Sequence, residues 1–362
     1  MSSNLRNKKF VFRNEQLSET EFKRKMVKIY MGDHNQLEPL KAEYHELIKK
    51  SLHRYANLVN TTNSTGDNLS GSTNCHYVFD STNQENVKYT STMLGGIKDS
   101  YDLYASPGGR ELLYEGLSIA SSVMNCQFFY TGPQCSNSQY FDFCIGCTDV
   151  FGCAGLKKKQ YWVFNKPYSK EAYISLREKI IKHMNDVPWV GKNGREYRYG
   201  EFFPIEHSVY TYNETTAAEY MPLSKDEALA RGYTWRDPDP SPYKTTVNAS
   251  DLPADIREVK DSIIKEVIRC HCERAYRILP QELAFLRTKG IALPRECQDC
   301  RHKKRVDLRN PRKLWHRKCM CSGEASNHFH ASAVCPNEFE TSYAPVRKEI
   351  VYCEQCYQSE VI

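Results

Sequence analysis

Nine of the 15 cysteines in this 362-residue chain lie at or beyond Cys270, most of them in close pairs. They are Cys270 and Cys272, Cys297 and Cys300, Cys319 and Cys321, Cys335, and Cys353 and Cys356. Two thiolates two or three positions apart on a tight turn can grip one side of a tetrahedral zinc ion, and a second pair tens of residues away closes the other side. The spacing therefore predicts two modules in series. The first uses Cys270, Cys272, Cys297 and Cys300. The second uses Cys335, Cys353 and Cys356, with Cys321 favoured as fourth ligand and Cys319 as the alternative. His328 and His330 could substitute, although their spacing also suits a solvated loop. The expected cofactor is Zn2+, two structural ions. Closed four-thiolate sites stabilise a fold and leave no position for water or substrate.

Cys126, Cys135, Cys144, Cys147 and Cys153 sit earlier, in a repetitive region. Cys144-Ile-Gly-Cys147 has knuckle spacing and is a candidate third metal site. The competing reading is packing, because a free cysteine behaves as a small hydrophobe.

The basic stretch from Arg295 to Lys318 carries ten Lys or Arg against three acids. Within it, Arg301, Lys303, Lys304, Arg305, Arg309, Arg312 and Lys313 precede Trp315. Cations beside an aromatic suit phosphate contact with base stacking, so DNA or RNA is a candidate partner. The same cations also suit a structural role, since a four-thiolate zinc centre has net charge −2. No catalytic constellation is present: no Gly-Lys-Ser/Thr phosphate loop, no His-Glu-x-x-His helix, no Gly-x-Ser-x-Gly elbow. Glu206 and His207 form a pair without a third partner.

The elements that must position these residues can be read from pattern. Net charge is +6, with 40% hydrophobic and 26% charged residues, as in globular chains. No apolar run is long enough to cross a bilayer, and the polar N-terminus is not a secretory signal. A cytoplasmic location is expected, where paired cysteines bind metal rather than form disulfides. From Asn74 to Phe164, short strands of Cys, Val and aromatics follow polar turn residues every 10 to 14 positions. This predicts a β-solenoid, with an irregular antiparallel domain as the alternative. Asn4 to Asn14 returns as Gly155 to Asn165, each copy a basic aromatic strand before a Ser-initiated helix. The first copy begins at Asn4, which suggests that upstream rungs are missing from this reading frame. Helices are expected over residues 32–56, 169–184 and 255–268, at Ser224 to Gly232, and over Pro280 to Lys289.

The layout resembles an uncharacterised family of zinc-ribbon, Cys-rich repeat proteins from candidate-phyla bacteria. The residues that carry the resemblance are Gly152-Cys-Ala-Gly-Leu156, Asn165-Lys-Pro-Tyr-Ser-Lys170, Gly200-Glu-Phe-Phe-Pro204, Tyr212-Asn-Glu214, Asp299-Cys-Arg-His302, Leu308-Arg-Asn-Pro-Arg-Lys-Leu-Trp315 and Tyr352-Cys-Glu-Gln-Cys-Tyr357. It spans nearly the whole chain and implies Cys-rich coils joined to zinc ribbons, without implying an activity. This chain departs from it at Cys270-His-Cys272, where relatives often carry Cys-x-x-Cys.

Together these readings describe an α+β multidomain chain. Residues 1–31 are a basic strand plus helix, repeating 152–182. A helical segment (32–59), a Cys/aromatic β-repeat (60–168) and a helix and loop-rich arm (169–250) follow. A first zinc module with the basic stretch (251–318) and a second (319–362) end it. The expected function is a non-enzymatic binding or scaffold protein that contacts nucleic acid through the basic ribbon. The alternatives are a pure protein-interaction scaffold using the repeat's face, and a metalloenzyme with one open zinc site. No membrane and no small-molecule substrate is expected.

Overall fold

Every third residue from Asn74 to Thr92 holds a left-handed backbone: Asn74, Tyr77, Asp80, Asn83, Asn86, Tyr89 and Thr92, with φ between 51° and 61°. The residue after each is buried: Cys75, Val78, Ser81, Gln84, Val87, Thr90 and Met93. An ordinary strand alternates its side chains with period two. A left-handed residue after each extended pair turns a corner and changes the period to three. Four such triplets close one coil. In this computed structural model the coils stack in parallel, with His76 opposite Lys88, Ser136 opposite Thr148 and Thr148 opposite Gln160. Between Gln84 and Met124 the coils are one residue longer, so that Gln84 meets Ile97 and Lys98 meets Glu111. About eight turns form between Leu58 and Val163, each strand lying between its sequence neighbours. The structure describes residues 1–362 apart from 107, 109, 119–120, 238–242, 324–328, 331–333 and 362. His328 and most of the proline-rich run after Asp237 therefore lie outside the described residues.

The corners explain the polar turn residues of the sequence. Asn and Asp tolerate the left-handed region better than other side chains. Here they also bond from coil to coil: Asn63 to Asn74 at 2.9 Å, Asn74 to Asn86 at 3.2 Å, and Asn86 to Asp99 at 2.8 Å. Aromatic corners stack instead, Phe128 on Tyr140 with ring centroids 4.6 Å apart. Gly152 shows why one corner has no side chain, because a Cβ there would lie 2.5 Å from the Phe164 ring.

The interior is a ladder of small and aromatic groups. Phe129 and Phe141 stack at 5.1 Å, and Cys75, Cys126, Cys135, Cys144, Cys147 and Cys153 are all buried in the same cluster. The last coil ends in a hairpin, Gln160–Val163 against Lys166–Pro167, followed by the helix Lys170–Asp186, whose Tyr173 packs on Phe151 and Val163. Ser169 caps that helix.

The N-terminal segment repeats this capping unit. Left-handed Asn4, Asn7, Phe10, Arg13 and Asn14 stand where Gly155, Lys158, Tyr161, Phe164 and Asn165 stand in the second copy. A hairpin, Val11–Phe12 with Glu15–Gln16, and the helix Glu19–Val27 follow, with Ser18 and Glu21 in a full capping box.

Two expected helices differ. The 32–56 pattern yields His34–Lys50, and Leu52 instead enters the strand Leu52–Arg54. That strand pairs with Ile350–Tyr352, so tertiary pairing overrides the helical spacing. Residues 255–268 form two single 3-10 turns, Ile256–Glu258 and Asp261–Lys265, rather than an α-helix. Ile256 and Ile263 from these turns, with Val259 between them, belong to a local buried core.

Replacing Asn86 with Ala should destabilise the solenoid by about 1–2 kcal/mol, the cost of a left-handed L-residue together with the lost ladder bonds. Asn86→Gly should cost less, because Gly holds this conformation without the steric penalty. Urea-unfolding midpoints of the two variants check the order.

Candidate metal centres

The two cysteine-rich modules place three of their four grouped cysteines in the same way. A short strand runs into a Cys-x-Cys turn, and a Cys-x-x-Cys pair opens a helix. In the first module the strand Ile268–Arg269 leads into Cys270 and Cys272, and Cys297 caps the helix Gln298–Asp307 with Cys300 in its first turn. In the second, Trp315–Lys318 leads into Cys319, and Cys353 precedes the helix Glu354–Val361, which contains Cys356. Helix N-termini present unpaired N–H groups and positive potential, which favour thiolates.

The Sγ atoms of Cys270, Cys272, Cys297 and Cys300 all lie within 4.8 Å of one another, and so do those of Cys319, Cys335, Cys353 and Cys356. Cys270 to Cys300 is 3.8 Å, Cys272 to Cys297 3.6 Å, Cys356 to Cys335 3.5 Å and Cys335 to Cys353 3.9 Å. A tetrahedron with metal–sulfur arms of about 2.3 Å has edges of about 3.8 Å. Each group can therefore hold one metal ion without rearrangement.

The second tetrad contains Cys319 in place of the favoured Cys321. The backbone explains this. Cys353 N–H donates to Cys319 Sγ at 3.2 Å, as Cys297 N–H donates to Cys270 Sγ at 3.3 Å in the first module. Cys319 is thus the counterpart of Cys270, and Cys335 fills the place that Cys272 takes. Cys321 instead joins His330 and Cys356 in a second, overlapping group, with His330 Nε2 3.3 Å from Cys356 Sγ. Nearness to the inserted loop favoured Cys321 in the sequence. The turn geometry decides for Cys319.

Electrostatics within each group fit a cation. Burial raises the Cys270 thiol, but bonds from the backbone N–H groups of Cys272 and Cys297 and from neighbouring thiols outweigh it, and its pKa falls to about 7. Cys353 is lowered in the same way against burial, by the Cys356 N–H and the Asn337 side chain. Burial and neighbouring thiols push Cys300 and Cys356 up, and burial takes Cys319 to about 12. Four thiolates at this spacing repel, so a cation is what lets all four ionise.

Cys144 and Cys147 are not brought to such a group. They point inward from adjacent corners of one coil, and their thiols donate to the carbonyls of Asp142 and Ile145 at 3.6 Å. Burial pushes Cys144 up to about 12. Of the two readings of this pair, the structure places the thiols as packing groups, outside both cysteine tetrads. Glu206 receives the indole N–H of Trp189 beside the His207 ring, with no catalytic partner among the described residues.

The basic residues lie on the helix Gln298–Asp307 and the loop after it, not on a ribbon. Most face acids of this chain. Arg301 meets Glu282, Lys303 meets Asp307, and Lys304 meets Glu296 at 2.6 Å. Arg309 bonds the Tyr220 hydroxyl at 2.7 Å and Glu219 at 3.2 Å. Arg312 is 9% exposed and crosses to the solenoid. There it donates to Asp80 at 2.9 Å and Thr92 at 2.7 Å, and stacks on Tyr220 with its guanidinium 3.7 Å from the ring centroid. Its guanidinium is thus engaged within the chain, at the wall of a cavity also lined by Arg54, Arg309 and Asn310. Arg305 is exposed, and Lys313 covers the half-buried Trp315 ring at 5.3 Å.

Comparison with family models, with curated proteins and with solved structures returned no match. No helix among the described residues is long and apolar enough to cross a membrane.

Elemental mass spectrometry of the purified chain should find about two ions. Cys319→Ser should remove about one of them, while Cys321→Ser should leave the count unchanged. A count near three that falls to two in His330→Ala would show that the overlapping group is filled.

Proposed function

We propose that this chain is a zinc-stabilised, non-catalytic scaffold that binds other proteins through the faces of its solenoid. Zinc is the metal that four thiolates in a closed tetrahedron suit best, and such a site adds folding energy without an open coordination position. The observation that carries the reading is the burial of Arg312 against Asp80 and Tyr220. It spends the centre of the basic run on docking a metal module to the solenoid. The neighbouring Arg309, Arg301, Lys303 and Lys304 pair with Glu219, Glu282, Asp307 and Glu296, although the Lys303 and Lys304 side chains stay largely exposed. The accessible groups of the solenoid include a row of aromatics. Tyr77, Tyr89 and Tyr101 are each more than two-fifths exposed along consecutive coils. Rigid aromatic groups with a polar tip are common anchors of protein interfaces.

Nucleic-acid binding is the competing reading, carried by Arg305, Lys313 and Trp315. It predicts an affinity for DNA or RNA oligomers that falls steeply with salt, and that Arg305→Gln with Lys313→Gln weakens for all sequences alike. The scaffold reading predicts no such salt-dependent affinity, and loss of co-purifying proteins when Tyr77 and Tyr89 become Ser. Tight oligomer binding at physiological salt would reverse the order of the two. Arg312→Ala should instead destabilise the chain by about 2–3 kcal/mol through its lost charged hydrogen bonds, read as a lower urea midpoint with metal content unchanged.

A further inference from the structure

Separate parts of the chain meet around a cavity of about 740 Å³. The first solenoid coils supply Asp67 and Asp80, the loop after the helix Gln298–Asp307 supplies Arg309 and Arg312, and the short helix Ala217–Tyr220 supplies Tyr220. Arg54 from the strand Leu52–Arg54 and Tyr357 from the helix Glu354–Val361 add to the wall. The volume lies inside the range of small-molecule sites, about 300–1,000 Å³.

Hydrogen bonding divides this wall into spent and open groups. Both acids are spent. Asp67 accepts from the Asn57 and Asn68 N–H groups at 2.8 and 3.0 Å and from the Ser342 hydroxyl. Asp80 accepts from Arg312 and from Asn68 Nδ2, each at 2.9 Å. Arg312 is spent on Asp80, Ser91 and Thr92. Two arginines keep open donors. Arg309 uses Nη1 on the Tyr220 hydroxyl and Nη2 on Glu219, and its Nε bonds nothing among the described residues. Arg54 has Glu354 3.1 Å from Nε, while its terminal nitrogens donate to nothing among the described residues, and its side chain is only 26% exposed. The Tyr357 ring centroid stands 5.4 Å from that guanidinium.

A half-buried guanidinium with open N–H groups recognises oxyanions through charge-assisted, bidentate hydrogen bonds. An anion held by Arg54 lies beside the Tyr357 ring, where a flat ligand group can stack. Phosphate suits the open donors better than carboxylate, because it brings three acceptor oxygens to Arg54 and Arg309. We infer that this cavity binds a small ligand of the nucleoside monophosphate class, with its phosphate on Arg54 and Arg309 and its base on Tyr357. The ligand is bound and not turned over. It ties the solenoid to the metal modules, because both line the same cavity. The inference goes beyond the scaffold reading and does not rest on it, since protein capture through Tyr77 and Tyr89 uses neither Arg54 nor Tyr357.

Isothermal titration of the full, zinc-loaded chain tests this. AMP should bind saturably and at least about tenfold more tightly than inorganic phosphate or adenosine, each of which lacks one half of the ligand. AMP should also raise the urea midpoint of the unaltered chain, because a ligand of the folded state stabilises it. Arg54→Gln should weaken AMP about tenfold or more with metal content unchanged, through the lost charge-assisted hydrogen bonds. Tyr357→Leu should weaken AMP and leave inorganic phosphate as it was, which a merely structural role would not do. The unaltered chain decides even where a variant does not fold: no saturable AMP binding, or equal binding of AMP and inorganic phosphate, would overturn the inference. So would AMP binding that Arg54→Gln leaves intact. A 5′-phosphorylated oligonucleotide that displaces AMP and binds more tightly would overturn it too, by assigning the cavity to a nucleic-acid end.

Discussion

The constraint on which the rest of this structure depends is the left-handed corner at every third residue. Two extended residues and one left-handed residue make a side of the coil, and four sides make a turn. A bulky L-residue in this region is strained, yet Tyr77, Tyr89, Phe128 and Tyr140 all occupy it. Stacking along the corners, Asn ladders and parallel backbone pairing to both neighbouring coils offset that strain together. No single coil could do so, because it would pair on neither side. The corners are therefore cooperative by construction, and each end of the stack needs a cover.

The metal modules take part in covering one end. Ile350–Tyr352 pairs with Leu52–Arg54, Tyr55 N–H reaches the Tyr352 carbonyl at 3.0 Å, and the Tyr55 ring packs 5.0 Å from Phe339. The buried core of this second module consists of its own cysteines and Tyr352, with Leu52, Phe339, Ile350 and Tyr357 packed against it. A metal ion would supply folding energy and, through these contacts, brace the first coil. The first module has an aliphatic core around Ile256, Ile268, Ile278 and Leu283, and so relies less on its tetrad. Its side-on clamp is Arg312, whose buried guanidinium meets Asp80 at a solenoid corner. Positive charge that looks available in the sequence is thus partly structural.

Much of this was legible in the residues. Stacked coils, their Asn and Asp turns, the repeated unit at Asn4 and Gly155 and its capping serines follow from local chemistry. So do three of the cysteine pairs, Cys270 with Cys272, Cys297 with Cys300 and Cys353 with Cys356, because Cys-x-Cys and Cys-x-x-Cys spacings act within a single turn. The period-three corners were hidden because Tyr, Phe and Thr fill many of them, and no propensity scale places those residues in the left-handed region. The helix expected across 255–268 failed where a local core preferred two short turns.

Sequence by itself determined what is set within a few bonds: the polar turns of the coils, the capping serines, and the close cysteine pairs. Tertiary structure decided what depends on distant partners. It selected Cys319 over Cys321 through the Cys353 N–H, sent Cys144 and Cys147 into a packed interior, and buried Arg312 against Asp80, far from it in sequence. The physical reason is that spacing along the chain fixes local geometry, whereas burial and charge pairing depend on which surfaces the fold brings together.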